Sequence, residues 1–253
     1  MALLEIREVS KRFGGVSALA GISLTVEPKV IVGVIGPNGA GKTSLFNCIT
    51  GLLPIDSGRV SFKGRYHLDR MACHRILAAG VARTFQNLRI FRNMTALENV
   101  SIGFHSRTHS GIWDGFLGTP RSRKEEHDVF SHSAELLDFV GLSGTGNEIA
   151  GNLAYGDQKR VEIARALAAG PELLLLDEPA AGMNPSEKER MIELVREIRA
   201  QGVTVLLIEH DMKIVMPLSD RVIVMDDGRK IADGAPDQVR NDRRVIEAYL
   251  GES

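Results

Sequence analysis

Cysteine is almost missing from this chain: Cys48 and Cys73 are the only two in 253 residues. Two thiols cannot frame a fold by disulfides, so a reducing, cytoplasmic setting is expected. Cys48 stands in an apolar stretch and reads as a small core residue. Net charge is also nearly missing, with 32 acids against 31 bases, so no global field draws the chain to nucleic acid or anionic lipid. No basic stripe suited to a phosphate backbone is present, and no nucleic-acid partner is expected. No apolar run reaches the roughly 18 residues that would span a bilayer. Glu5, Arg7 and Glu8 interrupt every apolar step near the N-terminus, which does not suit a secretory signal. Internal repeats, low-complexity tracts and long heptads are lacking as well. Any work at a membrane is therefore expected to pass through partner subunits.

What the chain does have is one dense motif, Gly36-Pro37-Asn38-Gly39-Ala40-Gly41-Lys42-Thr43. It follows an apolar run at 30–35 and precedes a segment, 44–51, that reads as helix. That is the strand, loop and helix order of the phosphate-cradling pattern GxxxxGK[ST]. The glycines let backbone N–H groups turn inward, and the helix start adds partial positive charge at the same spot. Lys42 can reach the outer phosphates, Thr43 offers a hydroxyl to Mg²⁺, and Ser44 continues the nucleotide-binding loop into the helix. A nucleoside triphosphate with Mg²⁺ is the implied ligand.

Around this motif the patterning is α/β. Leu4, Ile6 and Val9, then Ile22, Leu24 and Val26, alternate as strands of a small antiparallel sheet. The apolar runs at 173–176, 203–208 and 222–225 suit strands buried on both faces of a mostly parallel sheet. Between two of these runs, Met191, Leu194, Val195 and Ile198 share one helical face. Asn184 is placed to cap that helix, with Pro185 in its first turn and Glu187 set for a capping box. Residues 87–158 break the alternation. Phe130, Ala134, Leu137 and Val140 follow a helical period there, and no buried strand pattern appears. The expected organisation is a phosphate-loop NTPase core, 1–86 and 159–253, with a flanking antiparallel β subdomain and an inserted helical lobe, 87–158. Within the lobe, 106–122 reads as an exposed, loop-like excursion carrying Trp113, which is a candidate contact to membrane subunits or a residue packed back on the lobe.

A second motif supplies chemistry. The run Leu173-Leu174-Leu175-Leu176 ends in Asp177-Glu178-Pro179, so two carboxylates arrive at the carboxyl end of a buried strand, where α/β sheets bind ligands. Asp177 suits Mg²⁺, and Glu178 is placed to polarise a water for attack on the terminal phosphate. His210 follows the run at 203–208 and arrives at the same edge. It reads either as a γ-phosphate partner or as part of a salt-bridged helix start.

The stretch Leu153-Ala154-Tyr155-Gly156-Asp157-Gln158, continued by Lys159-Arg160-Val161-Glu162-Ile163-Ala164-Arg165, resembles the hallmark element of ABC-type ATPases. The order along the chain also matches that family: Phe13, the phosphate loop, Gln86, the hallmark, Asp177-Glu178, Ala181-Gly182-Met183-Asn184-Pro185, and His210. The wording Ala82-Arg83-Thr84-Phe85-Gln86-Asn87 and Ile208-Glu209-His210-Asp211-Met212 resembles the ATPase subunits of branched-chain amino-acid importers. The resemblance implies ATP hydrolysis with Glu178 as base and His210 as γ-phosphate partner. It places Thr43, Gln86 and Asp177 around Mg²⁺, Phe13 on adenine unless it merely fills the core, and Tyr155 and Gly156 on the nucleotide of a second cassette. It also implies a head-to-tail pair of cassettes (two copies, or one copy and a sister subunit), permease subunits, an indirectly coupled solute-binding protein, and a peripheral place on the cytoplasmic face of the cell membrane. Three departures stand out. Ala154 replaces the hallmark serine, Tyr155 its first glycine, and Asp157 its glutamine, which brings an acid close to a polyanion.

Overall fold

The computed structural model describes residues 2–106 and 120–250; Trp113 and most of the 106–122 excursion lie outside the described residues. The chain divides into two compact units, Met1–Arg83 with Glu172–Ser253, and Thr84–Pro171.

The first unit is built on the apolar runs. Strands β1 (Leu4–Phe13) and β2 (Val16–Val26) pair antiparallel, setting Leu4 opposite Val26, Ile6 opposite Leu24 and Val9 opposite Ile22. All six of these side chains are buried: a period of two aligns Ile22, Leu24 and Val26, and the register shift between Ile6 and Val9 returns Val9 to the face of Leu4 and Ile6. With β4 (Ser57–Phe62) and β5 (Tyr66–His67) they form a sheet in the order β2-β1-β4-β5. The second sheet contains β3 (Ile31–Ile35), β6 (Val81–Arg83), β7 (Leu173–Asp177), β8 (Thr204–Ile208), β9 (Arg221–Asp226) and β10 (Arg229–Gly234). Its order is β10-β9-β3-β8-β7-β6, and every neighbouring pair is parallel except β10 with β9. Every residue of β3, β7 and β8 is buried, as continuous apolar runs require when both faces are covered.

Helix α1 (Lys42–Ile49) packs Leu45, Phe46, Cys48 and Ile49 into the core shared by the two sheets. It begins two residues before the expected 44, because Gly41 ends the loop in a left-handed conformation and Lys42 already belongs to the first turn. Burial pushes the Cys48 thiol up to about 11, the chemistry of an inert core residue. Helix α2 (Cys73–Ala79) precedes β6.

In the second unit, α3 (Ala96–Gly103) starts at a Thr95 cap completed by Glu98. It is followed by α4 (Pro120–Phe139) and α5 (Tyr155–Ala168). The unit reaches Pro171, not 158. A β-carbon at Gly103 would stand 2.2 Å from the Arg165 carbonyl oxygen, so α3 and α5 touch backbone to backbone. That contact is one of those that join α5 to the helical unit. The buried face of α4 also differs from the expected one. Leu137 is buried and Val140, just beyond the helix, is buried too, but Phe130 and Ala134 are exposed and Ser133 takes the inner position. Its hydroxyl donates to the Val129 carbonyl and hydrogen-bonds Ser101, so a polar residue satisfied locally hid the apolar period.

Back in the first unit, α6 (Pro185–Ala200) buries Met191, Leu194, Val195 and Ile198. The Asn184 side chain accepts from the Glu187 N–H while Glu187 accepts from the Asn184 N–H, the expected capping box. Helices α7 (Met212–Leu218), α8 (Pro236–Arg240) and α9 (Arg243–Leu250) complete the unit. Asn184→Ala should cost about 1 kcal/mol. Thermal unfolding followed by circular dichroism should show a midpoint lower by about 2–4 °C.

Candidate nucleotide-binding and hydrolysis site

Strand β3 runs straight into the loop at 36–43, whose turns depend on Gly36 (φ +148°), Gly39 (φ +81°) and Gly41 (φ +95°). A β-carbon at Gly36 would lie 2.0 Å from the Met225 carbonyl oxygen, and one at Gly41 2.3 Å from that of Ala18. The loop is thus pressed between β9 and β2, where only glycine fits. Pro37 and Ala40 are buried, whereas Asn38, Gly39 and Thr43 are exposed and Ser44 is half-buried. The Lys42 ammonium is held inside the loop, donating to the carbonyl oxygens of Gly36 at 2.6 Å and Pro37 at 2.7 Å. No side chain caps α1 at Gly41, so its first-turn N–H groups face the loop as anion donors.

Two adjacent strands bring the remaining groups to the same edge. Ile208 of β8 is level with Val34 of β3 and with Asp177 of β7. The residues that follow, Glu209-His210 and Glu178, therefore emerge beside the phosphate loop, at the carboxyl ends of three neighbouring parallel strands. Asp177 is buried, and its Oδ2 accepts from Arg83 at 2.7 Å. The same guanidinium donates to Asn47 of α1 at 2.6 Å and lies 5.4 Å from the Phe46 ring centre. Arg83 was present in the sequence motif without a role. Its carboxylate partner is 94 residues away, and only the pairing of β6 with β7 brings them together.

Glu178 takes a left-handed backbone, φ +49°, that a non-glycine residue adopts only under constraint. The constraint is visible: its N–H donates to the Ile208 carbonyl oxygen at 2.9 Å. His210 Nδ1 lies 3.9 Å from Glu178 Oε1 and 3.9 Å from Glu209 Oε2. These separations leave the imidazole bordering the carboxylates rather than hydrogen-bonded to them. Capping of α7 belongs to Asp211, whose Oδ1 accepts from the Lys213 N–H, so His210 is not needed for that task. Phe13 ends β1 with 51% of its surface exposed, which removes the core-filling role. A Lys11 ammonium stands 5.8 Å from its ring centre.

Gln86, Tyr155 and Gly156 belong to the helical unit. Lys159 of α5 donates to the carbonyl oxygens of Phe85 at 3.2 Å and Gln86 at 2.9 Å, so the hallmark helix holds the backbone that carries Gln86. Tyr155 is exposed, Gly156 buried, and Ala154 leaves the start of α5 without a side-chain cap. The acid at Asp157 is ion-paired with Arg160 one turn on, so its charge is balanced within the helix.

The family described as "ABC transporter" matches residues 19–181, and one described as "Branched-chain amino acid ATP-binding cassette transporter" matches residues 229–253. The chain is 45% identical over 252 residues to the high-affinity branched-chain amino acid transport ATP-binding protein LivG of Escherichia coli (strain K12), covering 99% of this chain and 98% of that protein. It is 44% identical over 252 residues, with the same coverage, to BraF of Pseudomonas aeruginosa, a protein of the same description. The fold matches the crystal structure of the ADP conformation of an ATP-binding cassette from an ABC transporter, with TM-score 0.85, 35% identity, and 99% of each chain covered.

Arg83→Met keeps the bulk of the side chain and removes the cation from buried Asp177. A buried pair broken on one side costs about 3–5 kcal/mol, which denaturant unfolding should register. A loss below about 1 kcal/mol would be the mark of an exposed pair instead.

Proposed function

Because the chain belongs to the ABC transporter ATPase family, we propose that it is the ATP-hydrolysing subunit that powers import of branched-chain amino acids, or similarly hydrophobic ones, through partner permease subunits. One observation carries the chemistry: the phosphate loop, Asp177, Glu178 and His210 leave three adjacent strands at one edge of one sheet. The solute class is supported by the full-length similarity to LivG and BraF and by the family match at 229–253.

In this scheme ATP lies against the loop N–H groups and the start of α1, with Lys42 on its outer phosphates and the exposed Phe13 ring on adenine. Thr43, Asp177 and Gln86 would hold Mg²⁺. They offer hydroxyl, carboxylate and amide oxygens, the hard donors that ion prefers, and the bound ion would neutralise charge on the outer phosphates. Glu178 draws a proton from the attacking water, and His210 steadies the γ-phosphate. Tyr155 and the N–H groups at Gly156 serve the nucleotide of a second cassette, either another copy or a sister subunit. ATP that bridges two surfaces favours the closed pair, and loss of its terminal phosphate releases it. Among the described residues no helix is long and apolar enough to cross a membrane. Attachment at the cytoplasmic face of the cell membrane is therefore assigned to the permease subunits, which a solute-binding protein serves from the other side.

Glu178→Gln should keep ATP affinity, lower hydrolysis by about 10²–10⁴-fold, and accumulate an ATP-bound dimer on size-exclusion chromatography. Full turnover in that variant would remove Glu178 from the base role. Lys42→Ala should instead weaken nucleotide binding itself, as read by titration with a fluorescent ATP analogue. Unchanged affinity there would remove the ammonium from the phosphates.

A further inference from the structure

Between the two catalytic side chains lies a third carboxylate that the scheme above leaves idle. Glu209 follows β8 directly and is 1% exposed, although it carries an acid. Each of its oxygens has a donor. Oε1 accepts from the Ala180 N–H at 3.0 Å, and Oε2 accepts from the His210 N–H at 3.2 Å. Ala180 stands two residues after Glu178, and is itself buried. A single side chain thus ties the strand end that carries His210 to the loop that leaves Glu178. The same carboxylate borders the imidazole, with Oε2 3.9 Å from His210 Nδ1.

This placement is costly. Burial pushes the Glu209 carboxyl above the usual carboxylate range, and the charge of Glu178 adds to the rise, while the Ala180 and His210 N–H groups and the imidazole oppose it. A neutral residue would avoid that cost. What an ionised carboxylate offers, and an amide does not, is acceptance at both ends: glutamine has one acceptor oxygen and would turn an NH₂ towards one of the two N–H groups.

We propose that Glu209 is a positioning residue of the hydrolysis centre, setting the separation of Glu178 and His210 by binding the backbone of both segments. The proposal rests on the assignment of Glu178 and His210 to ATP hydrolysis. Glu209 touches neither nucleotide nor water in this scheme and acts through the two residues it holds. A second tether lies outside it, where Lys188 of α6 donates to Asp211 at 2.8 Å, but that pair is partly exposed and cannot hold the geometry with the same stiffness.

The test compares Glu209→Gln with the parent chain in steady-state ATP hydrolysis and in equilibrium binding of a fluorescent ATP analogue. Turnover should fall by about tenfold or more while nucleotide affinity stays within about twofold, because only the transition-state arrangement is disturbed. In a His210→Ala background, read by single-turnover hydrolysis, the same substitution should cost less than about twofold, since residues acting as a unit are not additive. Should Glu209→Gln fail to fold, Glu209→Asp keeps the charge but shortens the reach, and the same split between turnover and affinity is expected. Undiminished turnover in a folded variant, affinity falling in step with turnover, or full multiplicative loss in the double variant would each overturn the proposal. A parent chain that binds ATP without hydrolysing it would instead overturn the underlying assignment of Glu178 and His210.

Discussion

The registration of β8 between β3 and β7 is the constraint on which the site depends. Ile208 stands level with Val34 on one side and Asp177 on the other, and all three strands are buried throughout. A slip of one residue would exchange the side chains facing the two sides of the sheet, and because both sides are packed, every such slip breaks close packing. The sheet therefore fixes, by its backbone ladder and a largely Val, Ile and Leu packing, how far the phosphate loop, Glu178 and His210 extend past its edge. Chemistry at the edge inherits its precision from hydrocarbon several residues away.

That edge gathers charge that would not assemble unaided. Asp177, Glu178 and Glu209 all emerge within two strand ends, and two of the three are buried. Each is compensated differently. Asp177 has the Arg83 guanidinium, Glu209 has two backbone N–H groups, and Glu178, about a fifth exposed, keeps contact with solvent. Of the three, Glu178 alone has a left-handed backbone, so strain and partial exposure fall on the side chain that the proposed scheme sets against a water. Compensation by fixed partners suits groups that hold position.

Much of this was legible in the chain itself, for physical reasons that can be named. The runs at 30–35, 173–176 and 203–208 are short and apolar enough to suit doubly buried strands, and to within one residue at an end they are β3, β7 and β8. The Asn184, Pro185 and Glu187 pattern wrote the start of α6 to the residue. The illegible parts were contacts across sequence distance and polar groups satisfied locally. Nothing adjacent to Arg83 points to Asp177, and nothing adjacent to Glu209 points to the Ala180 N–H. Ser133 interrupted the apolar stripe of α4, so its inner face was placed one step off. The acid at Asp157 looked like a liability until α5 set Arg160 beside it. The helical unit extends to Pro171 because α5 packs against α3, in part through Gly103, and such packing has no signature in a single residue letter.

Helix starts at the two phosphate motifs differ from those of α3 and α6. Helices α3 and α6 begin with side-chain caps at Thr95 and Asn184, each completed into a box by a glutamate three residues on. Helices α1 and α5 begin at Gly41 and Ala154 with no side-chain cap. The short helices α2 and α8 also begin without one. An uncapped start leaves N–H groups whose best partner is an anion from outside the chain, and it costs stability until that anion arrives. Ala154 makes this sharper than a serine would, since no hydroxyl competes for the first N–H groups of α5. In the proposed scheme, the stability forgone at the two helix starts would be recovered as nucleotide affinity, because the N–H groups left uncapped in the free chain would be those that meet phosphate.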